Sequence, residues 1–316
     1  MAVPILLLRR LLGAVPLLLV VSFVVFLLVS LAPGDPAARI AGENATPERI
    51  EMIRKTLNLE ANLPTRYADW LAAAMQGDFG HSLATSEPVV ELMSRRIPVT
   101  LSLTAAALVV SIVLGMAGGI AAAVWRNTVI DRVIGVLSSL GLALPSFWVA
   151  MILVVPLAIE RTWFPALGYV PLSDGMWPWL RSLTLPALAL ALLPSAEMVL
   201  QVRAALIETL EKDYILAARA RGLSILSITL KHALKNAAIP VVTVLGFRIA
   251  QLLGGSVIIE SVFALNGLGT LAITAALASD MPVLLGLTMV TTLAVVLVNF
   301  LVDASYLYFN PRGRRT

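Results

Sequence analysis

Four stretches of this chain, each 22 to 28 residues long, carry no charged side chain: 11–32, 98–125, 133–159 and 281–302. Because a helix rises about 1.5 Å per residue, about 20 apolar residues cross the hydrocarbon core of a bilayer. Two further stretches contain a single charge each, Glu197 in one and Arg248 in the other. These stretches predict an all-α membrane protein with six transmembrane helices, at about 11–32, 98–125, 133–159, 183–207, 237–261 and 283–308.

The composition excludes an ordinary soluble domain. Of the 316 residues, 59% are hydrophobic and 13% are charged, whereas soluble domains average about 45–50% and about 25%. The same numbers exclude a disordered chain. There are no cysteines, which rules out disulfides, thiolate nucleophiles and Cys-ligated metals. Only two histidines are present, His81 and His232, too few for a His-rich metal site.

Basic residues fix the expected orientation, because short cytoplasmic loops carry an excess of Lys and Arg. With the N-terminus inside, the inner segments hold 13 basic residues and the short outer loops hold only Arg161 and Arg181. The prediction is N-in and C-in. The inner set is Arg9, Arg10, Arg126, Arg132, Arg203, Lys212, Arg219, Arg221, Lys231, Lys235, Arg312, Arg314 and Arg315.

This topology divides the chain into four parts. Residues 1–32 form an N-terminal transmembrane anchor, and 33–97 form a helical extracytoplasmic loop. Residues 98–308 form a five-helix core that includes a cytoplasmic loop at 208–240, and 309–316 form a basic cytoplasmic tail. A cleaved signal peptide is the alternative for the first span. Its apolar run of 22 residues exceeds the 7–15 of a signal peptide and favours a retained anchor.

The outer loop contains helix signals. Thr46 is a suitable N-cap, with Pro47 at the first helical position and Glu48 in the first turn. A second helical run over 67–75 ends in the turn cluster 77–80. One interpretation is a small cap that protects the ends of the spans. The other is a docking surface or gate on the outer face.

The cytoplasmic loop contains the signals of a short helix. Asp213 is a plausible N-cap and Gly222 a plausible C′ residue. A helix of one to two turns is not stable alone, so it needs a partner surface. Ser224 then begins a second helix that runs to about Asn236. The hairpin either packs on its own bundle or docks into another protein.

At this loop the residues resemble a known family. The segment 217–223, Ala-Ala-Arg-Ala-Arg-Gly-Leu, followed by 231–237 and Pro240, looks like the EAA-type loop of ABC importer permeases. More narrowly, the chain is similar to dipeptide and oligopeptide permeases. Leu216 stands where that loop has its glutamate. Four other places agree: 32–37 after the first span; 63–64, 67, 70–71 and 77–83 in the outer loop; 145–148 in the third span; and 253–255, 260–263 and 267–269 around the end of the fifth.

The resemblance implies a MetI-like permease core with an extra N-terminal span, in a bacterial plasma membrane. It implies four kinds of partner: a second homologous permease, two cytoplasmic ATPases, an extracytoplasmic binding protein and a peptide substrate. ATP and Mg would be held by the ATPases, with no cofactor in this chain. The residues that would couple to an ATPase are Asp213, Tyr214, Ala217, Ala218, Arg219, Ala220, Arg221, Gly222, His232 and Asn236. Those that would dock the binding protein or form an outer gate are Tyr67, Trp70, Asp78, Phe79 and Ser82.

Two features inside the spans point to a translocation pathway. Glu197 and Arg248 both lie about 16 Å from the inner surface, and such costly charges face protein or water. They form either a structural ion pair or part of the solute cavity. The kinked segment of Pro145, Ser146, Phe147 and Trp148 frees backbone carbonyls and either serves packing or lines the pathway. Gly115 and Gly119 are expected to form a packing surface of small residues.

Other function classes fit the sequence less well. The chain has no G-x-x-x-x-G-K-[ST] motif, so ATP hydrolysis would belong to separate subunits. Neither histidine lies in a predicted span, which argues against an intramembrane serine enzyme. An ion-coupled secondary transporter or channel would want several buried acids, and only Glu197 qualifies clearly. Nucleic-acid binding is disfavoured because the basic residues segregate by membrane side. The solute stays open among dipeptides, longer peptides, glutathione and nickel chelates.

Overall fold

A computed structural model describes residues 2–31, 37–38, 45–56 and 60–309; at 2–12, 235–247 and 302–309 it describes the backbone alone. The described residues are almost entirely helical, which confirms the all-α prediction. An isolated antiparallel bridge joins His81 and Pro88. The α-helices are α1 Ala2–Ser30, α2 Pro47–Thr56, α3 Leu63–Met75, α4 Val89–Val124, α5 Val129–Ala143, α6 Ser146–Val154, α7 Met176–Leu210, α8 Asp213–Ala220, α9 Ile225–Ile228, α10 Leu234–Val262, α11 Leu268–Ala278 and α12 Met281–Phe309.

Three of these helices are long and apolar enough to cross a membrane: α4, α7 and the 281–301 part of α12. The pair formed by α5 and the segment Ser146–Glu160 makes a fourth if it is one broken span. These segments cover the second, third, fourth and sixth predicted spans. The other two predicted spans fall on α1 and α10, where part of the side chains lies outside the described residues. The count of six spans stays a prediction.

The single helix predicted over 133–159 is wrong. The chain breaks between α5 and α6, and the two segments are bent by 106°. Leu144 has extended backbone angles, φ −84° and ψ 128°, because a residue that precedes proline is pushed out of the helical region. Pro145, which lacks a backbone N–H, then becomes the N-cap of α6. A π-helical turn, Val155–Glu160, follows α6.

The chain divides into two compact units. One consists of residues 1–7, 99–266 and 297–316, and 67% of the membrane-length window of its helix α7 is buried. Residues of α4, α7 and α10 form its core, which includes Leu103, Leu183 and Leu252. At Gly115 an added Cβ would lie 2.5 Å from Met198, and at Gly119 it would lie 2.5 Å from Val202. The predicted packing role of these glycines is therefore confirmed, since α4 and α7 approach too closely for a side chain there.

The other unit consists of residues 8–98 and 267–296. Its core joins Val89 and Met93 in the first turns of α4 to Leu271 of α11 and Val283 of α12. At Gly286 an added Cβ would lie 2.8 Å from Val89. Helix α11 was not predicted, because 11 apolar residues are too few for a span and follow a Gly-rich turn.

The outer helices begin at cap residues of the expected kind. The Arg49 N–H donates to the Thr46 hydroxyl at 3.4 Å, and hydrogen bonds from the Glu48 backbone and then Thr46 lower the pKa of the Glu48 carboxyl. The predicted start of α2 is thus confirmed. Helix α3 begins four residues before the predicted Tyr67, because Asn62 caps it by accepting from the Thr65 N–H at 3.0 Å.

Candidate functional site

The hairpin of the predicted cytoplasmic loop consists of α8, α9 and the π-helical turn Thr229–Ala233 that leads into α10. Lys212, with extended backbone angles, occupies the N-cap position of α8. The predicted cap, Asp213, instead stands at the first helical position. Its carboxylate there complements the positive end of the helix dipole, so an acidic residue suits that position as well.

Helix α8 ends as the sequence predicts. The Gly222 N–H donates to the Arg219 carbonyl at 2.8 Å, and the Leu223 N–H donates to the Ala218 carbonyl at 3.4 Å. These two bonds make a Schellman motif with Gly222 at C′. The φ of Gly222 is +80°, and no atom lies within 4 Å of where its Cβ would be. The glycine is therefore required by backbone conformation and not by close approach of another group.

The second arm starts at Ser224, whose hydroxyl accepts from the Ser227 N–H at 3.3 Å. This confirms the predicted N-cap. After α9 and the π-helical turn the backbone passes directly into α10, with no break before the predicted fifth span. Pro240 lies inside α10. The side chains of His232 and Asn236, two predicted coupling residues, lie outside the described residues.

The hairpin has a buried side and an exposed side. Ile215 and Ile228 are fully buried and pack with Leu206 and Leu210 near the end of α7. Ala218 is half-buried, while Ala217, Arg219, Ala220 and Arg221 are exposed. Large apolar side chains are exposed beside them: Tyr214, Leu223, Ile225, Leu226 and Leu230. We call these five the hairpin apolar face. Because these buried contacts anchor the hairpin on α7, the hairpin apolar face is held in a fixed position.

A cavity of about 370 Å³ lies beneath the hairpin. An ion pair between Arg126 and Glu211, 2.7 Å apart, lies on its wall, and Arg219 closes one side. The side chains of Arg126 and Glu211 are 46% and 64% exposed, so the pair contributes little to stability. It links the end of α4 to the residue after α7, and so helps to fix the place where the hairpin begins.

The two charges predicted inside the spans are brought together. The Arg248 Nη1 lies 2.5 Å from the Glu197 Oε2, and both side chains are about a quarter exposed. The Arg248 Nη1 and the Glu197 Oε2 are close, but their angles are not those of a hydrogen bond. The Glu197 Oε2 and the Arg248 Nε therefore have no hydrogen-bond partner among the described residues. The Arg248 Nη1 also lies 2.5 Å from the Gln251 Oε1. The expected ion pair exists, and each partner keeps one polar atom that makes no hydrogen bond with a described residue.

The other predicted pathway residues lie at the start of α6. The Pro145 carbonyl accepts from the Trp148 N–H at 3.0 Å and from the Val149 N–H at 3.2 Å. This carbonyl therefore accepts the first hydrogen bonds of the new helix. Phe147 and Trp148 are exposed, whereas Ser146 is half-buried. Helix α6 packs against α7 and α10, the two helices that carry Glu197 and Arg248.

The predicted outer residues divide into two groups, and the first packs against α1. The Tyr67 hydroxyl lies 2.8 Å from the Ser22 hydroxyl and donates to the Leu19 carbonyl at 3.1 Å. Its ring meets Phe23 edge-on at 5.2 Å, and the Trp70 ring lies 6.3 Å from Phe26. Tyr67 and Trp70 thus join α3 to α1, which supports the cap interpretation at these positions.

The second outer group shapes the loop before α4. The Asp78 carboxylate accepts from the Gly80 N–H at 2.8 Å and closes a local turn. Phe79 packs at the edge of the core around Val89. Ser82 is buried and donates to the Asp280 carboxylate at 2.5 Å. Asp78 is exposed, Phe79 is half-buried and Ser82 is buried, and all three shape this loop through these contacts.

Two buried carboxylates with long-range hydrogen bonds were not predicted. Asp280, 2% exposed, also accepts from the Leu83 N–H at 3.1 Å and the Ala84 N–H at 3.3 Å, so it fastens this loop to the start of α12. Glu260, fully buried, accepts from the Thr100 hydroxyl at 2.7 Å and the Ser256 hydroxyl at 3.2 Å. The position of Asp280 just before an apolar run indicates a helix cap. The sequence does not reveal its contact with Ser82, which lies 198 residues away.

Comparison with known proteins identifies the family. The model of the binding-protein-dependent transport system inner membrane component matches residues 111–315, and the model of the N-terminal region of such components matches 4–104. The chain belongs to this family. It is a permease subunit of an ABC importer and a multi-pass membrane protein. This confirms the resemblance read from the cytoplasmic hairpin.

Individual relatives cover nearly the whole permease. A protein of Brucella abortus (strain 2308) that bears the name of a peptide transport system permease is 40% identical over 309 residues, 98% of each chain. The glutathione transport system permease protein GsiC of Escherichia coli (strain K12) is 38% identical over 306 residues, 97% of each chain. A solved chain of the MetNI methionine ABC transporter in an inward-facing conformation shares 20% identity, with a TM-score of 0.59 over 72% of the permease and all of that chain. That likeness shows the MetI-like fold.

Proposed function

We propose that this permease is the translocation subunit of an ATP-driven importer of dipeptides or oligopeptides in a bacterial plasma membrane. The observation that carries the proposal is the cytoplasmic hairpin, whose apolar face is exposed while Ile215 and Ile228 seat it on α7. A short helix that presents apolar side chains fits a groove in a partner protein. The partner proposed here is one of two ATPase subunits, which would hold ATP and Mg.

The proposed transport cycle needs the hairpin and the ion pair to act in sequence. The hairpin continues through the π-helical turn into α10, which carries Arg248. A movement of the ATPase under the hairpin would therefore be transmitted along one helix to the Glu197–Arg248 pair. Such a linkage fits alternating access, in which the cavity between this permease and a second, homologous permease opens to one side at a time.

The proposed solute is a peptide delivered by an extracytoplasmic binding protein. Relatives named for peptide and glutathione transport support this class, as does a pathway that carries both an acidic and a basic group. A zwitterionic peptide offers an ammonium and a carboxylate to match them. The binding protein would dock on the loop that Asp280 fastens, where His81 and Thr85 are exposed.

Measurement of ATP hydrolysis by the assembled complex tests the solute class. We expect a dipeptide or an oligopeptide, added with the binding protein, to raise the rate severalfold over the solute-free complex in liposomes. Free methionine and a nickel chelate serve as comparison solutes under the same conditions. A complex stimulated by one of these and by no peptide would contradict the peptide proposal and leave the importer assignment in place.

We also propose six spans with both termini in the cytoplasm, and cysteine labelling tests this topology. The chain has no native cysteine, so single cysteines at Thr46, Asp174, Ser224 and Thr316 report one site each. The first three positions are exposed. An impermeant thiol reagent on intact cells should label the first two only, because basic loops stay inside. Labelling of Ser224→Cys from outside would refute the orientation.

A further inference from the structure

A groove of about 770 Å³ runs along α5 beside α7, apart from the hairpin and the ion pair. One face of α5 lines the groove along its whole length, because residues at the i, i+3, i+4, i+7 and i+8 positions lie on the same side of a helix. Two residues of α7, Leu200 and Arg203, form the other wall. The lining of α5 consists of Asp131, Arg132, Gly135, Val136, Ser139 and Leu140.

The middle of the groove is open and apolar. No atom lies within 4 Å of where a Cβ on Gly135 would be, so the glycine leaves a hollow there. The Ser139 hydroxyl donates to the Gly135 carbonyl at 3.0 Å and has its hydrogen bond within the helix. Val136, Leu140 and Leu200 are exposed along the rest of the groove. A surface of this kind is suited to a hydrocarbon chain.

The end of the groove near the start of α5 carries one net positive charge. Asp131 and Arg203 neutralise each other, since the Arg203 Nε and Nη2 donate to the two Asp131 oxygens at 2.7 Å and 2.9 Å. Arg132 is exposed and makes no ion pair with a described residue. The Thr128 hydroxyl donates to the Trp125 carbonyl at 2.6 Å and does not cap α5.

We infer that this groove binds one anionic phospholipid of the inner leaflet. Arg132, assisted by the Nη1 of Arg203, which has no hydrogen bond to a described residue, would hold the phosphate, and an acyl chain would lie in the hollow at Gly135 and along Val136 and Leu140. A basic end at the cytoplasmic side, continuous with an apolar groove, matches both parts of such a lipid. The inference rests on the proposed membrane orientation and not on the nature of the solute.

Lipid retention by the full-length chain, purified with the subunits that accompany it, tests the inference. The complex is placed in nanodiscs of phosphatidylcholine with or without phosphatidylglycerol, and retained lipid is measured by mass spectrometry after delipidation. The parent should retain phosphatidylglycerol and gain several degrees in Tm from it. Arg132→Gln should lose most of both effects. Arg49→Gln, which removes an exposed charge on the outer helix α2, should lose neither.

A second variant separates the groove from the charge. Gly135→Leu fills the hollow without a clash, so it should abolish retention of phosphatidylglycerol while Tm in pure phosphatidylcholine stays the same or rises. Retention equal to the parent in both Arg132→Gln and Gly135→Leu would overturn the inference. So would loss of a permease partner in Gly135→Leu with lipid retention intact, because the groove would then be a subunit contact. Neither readout depends on stimulation by peptide.

Discussion

Replacement of Gly222 by Leu is expected to uncouple transport from ATP hydrolysis while the permease still inserts. An L-residue in the left-handed conformation costs about 1–2 kcal/mol. The Schellman motif that ends α8 would therefore loosen, and the hairpin apolar face would lose its fixed position. We expect transport to fall at least tenfold, with ATP hydrolysis either lost with the ATPase subunits or no longer raised by peptide. Uptake and hydrolysis are measured on the same liposomes.

The open space around Gly222 allows a sharper test. Because no atom would meet a Cβ there, the defect should follow backbone preference and not side-chain size. Asn adopts the left-handed conformation more readily than Leu, so Gly222→Asn should keep most of the coupling. Gly168, with φ +89° and equally open space, lies outside the hairpin, and Gly168→Leu should leave coupling unchanged. If Gly222→Asn is as defective as Gly222→Leu, the docking surface needs glycine for clearance in the complex instead.

Local signals in the sequence sufficed where a structure depends on a few neighbouring residues. The caps Thr46 and Ser224 and the helix end at Gly222 were predicted because each is fixed by hydrogen bonds within one or two turns. The glycine contacts of α4 with α7 were predicted for a related reason: close helix packing needs small residues at regular spacing. The resemblance of the hairpin to the family rested on the same segment.

The errors arose where local rules compete or where distant residues meet. Pro145 was expected to kink a span, but its effect on Leu144 turned the kink into a break of 106°. Periodicity could not distinguish a kink from a break, because both halves are apolar. Asp280 and Glu260 gained their roles from partners 160 or more residues away. The sequence shows that a carboxylate lies beside a span boundary. It does not show which distant residues will bury that carboxylate.

Neutralisation of either member of the Glu197–Arg248 pair is expected to lower transport at least tenfold. The loss of one partner leaves the other charge in a poorly solvated place, which is the costly way to break such a pair. Glu197→Gln and Arg248→Gln are therefore measured for uptake and for the amount of assembled complex. Glu208→Gln, on the same helix but exposed and 3.9 Å from Lys212, is the matched control and should retain nearly full activity.

The double swap Glu197→Arg with Arg248→Glu then separates a structural pair from a pathway pair. A purely structural pair should recover assembly and transport together, since the attraction is preserved. We expect recovery of assembly with poor or altered transport, because both side chains of the pair are about a quarter exposed and so can meet a solute. The two charges suit a solute's carboxylate and ammonium, and the swap reverses their order along the pathway. Full recovery of uptake with unchanged peptide preference would assign the pair to structure alone.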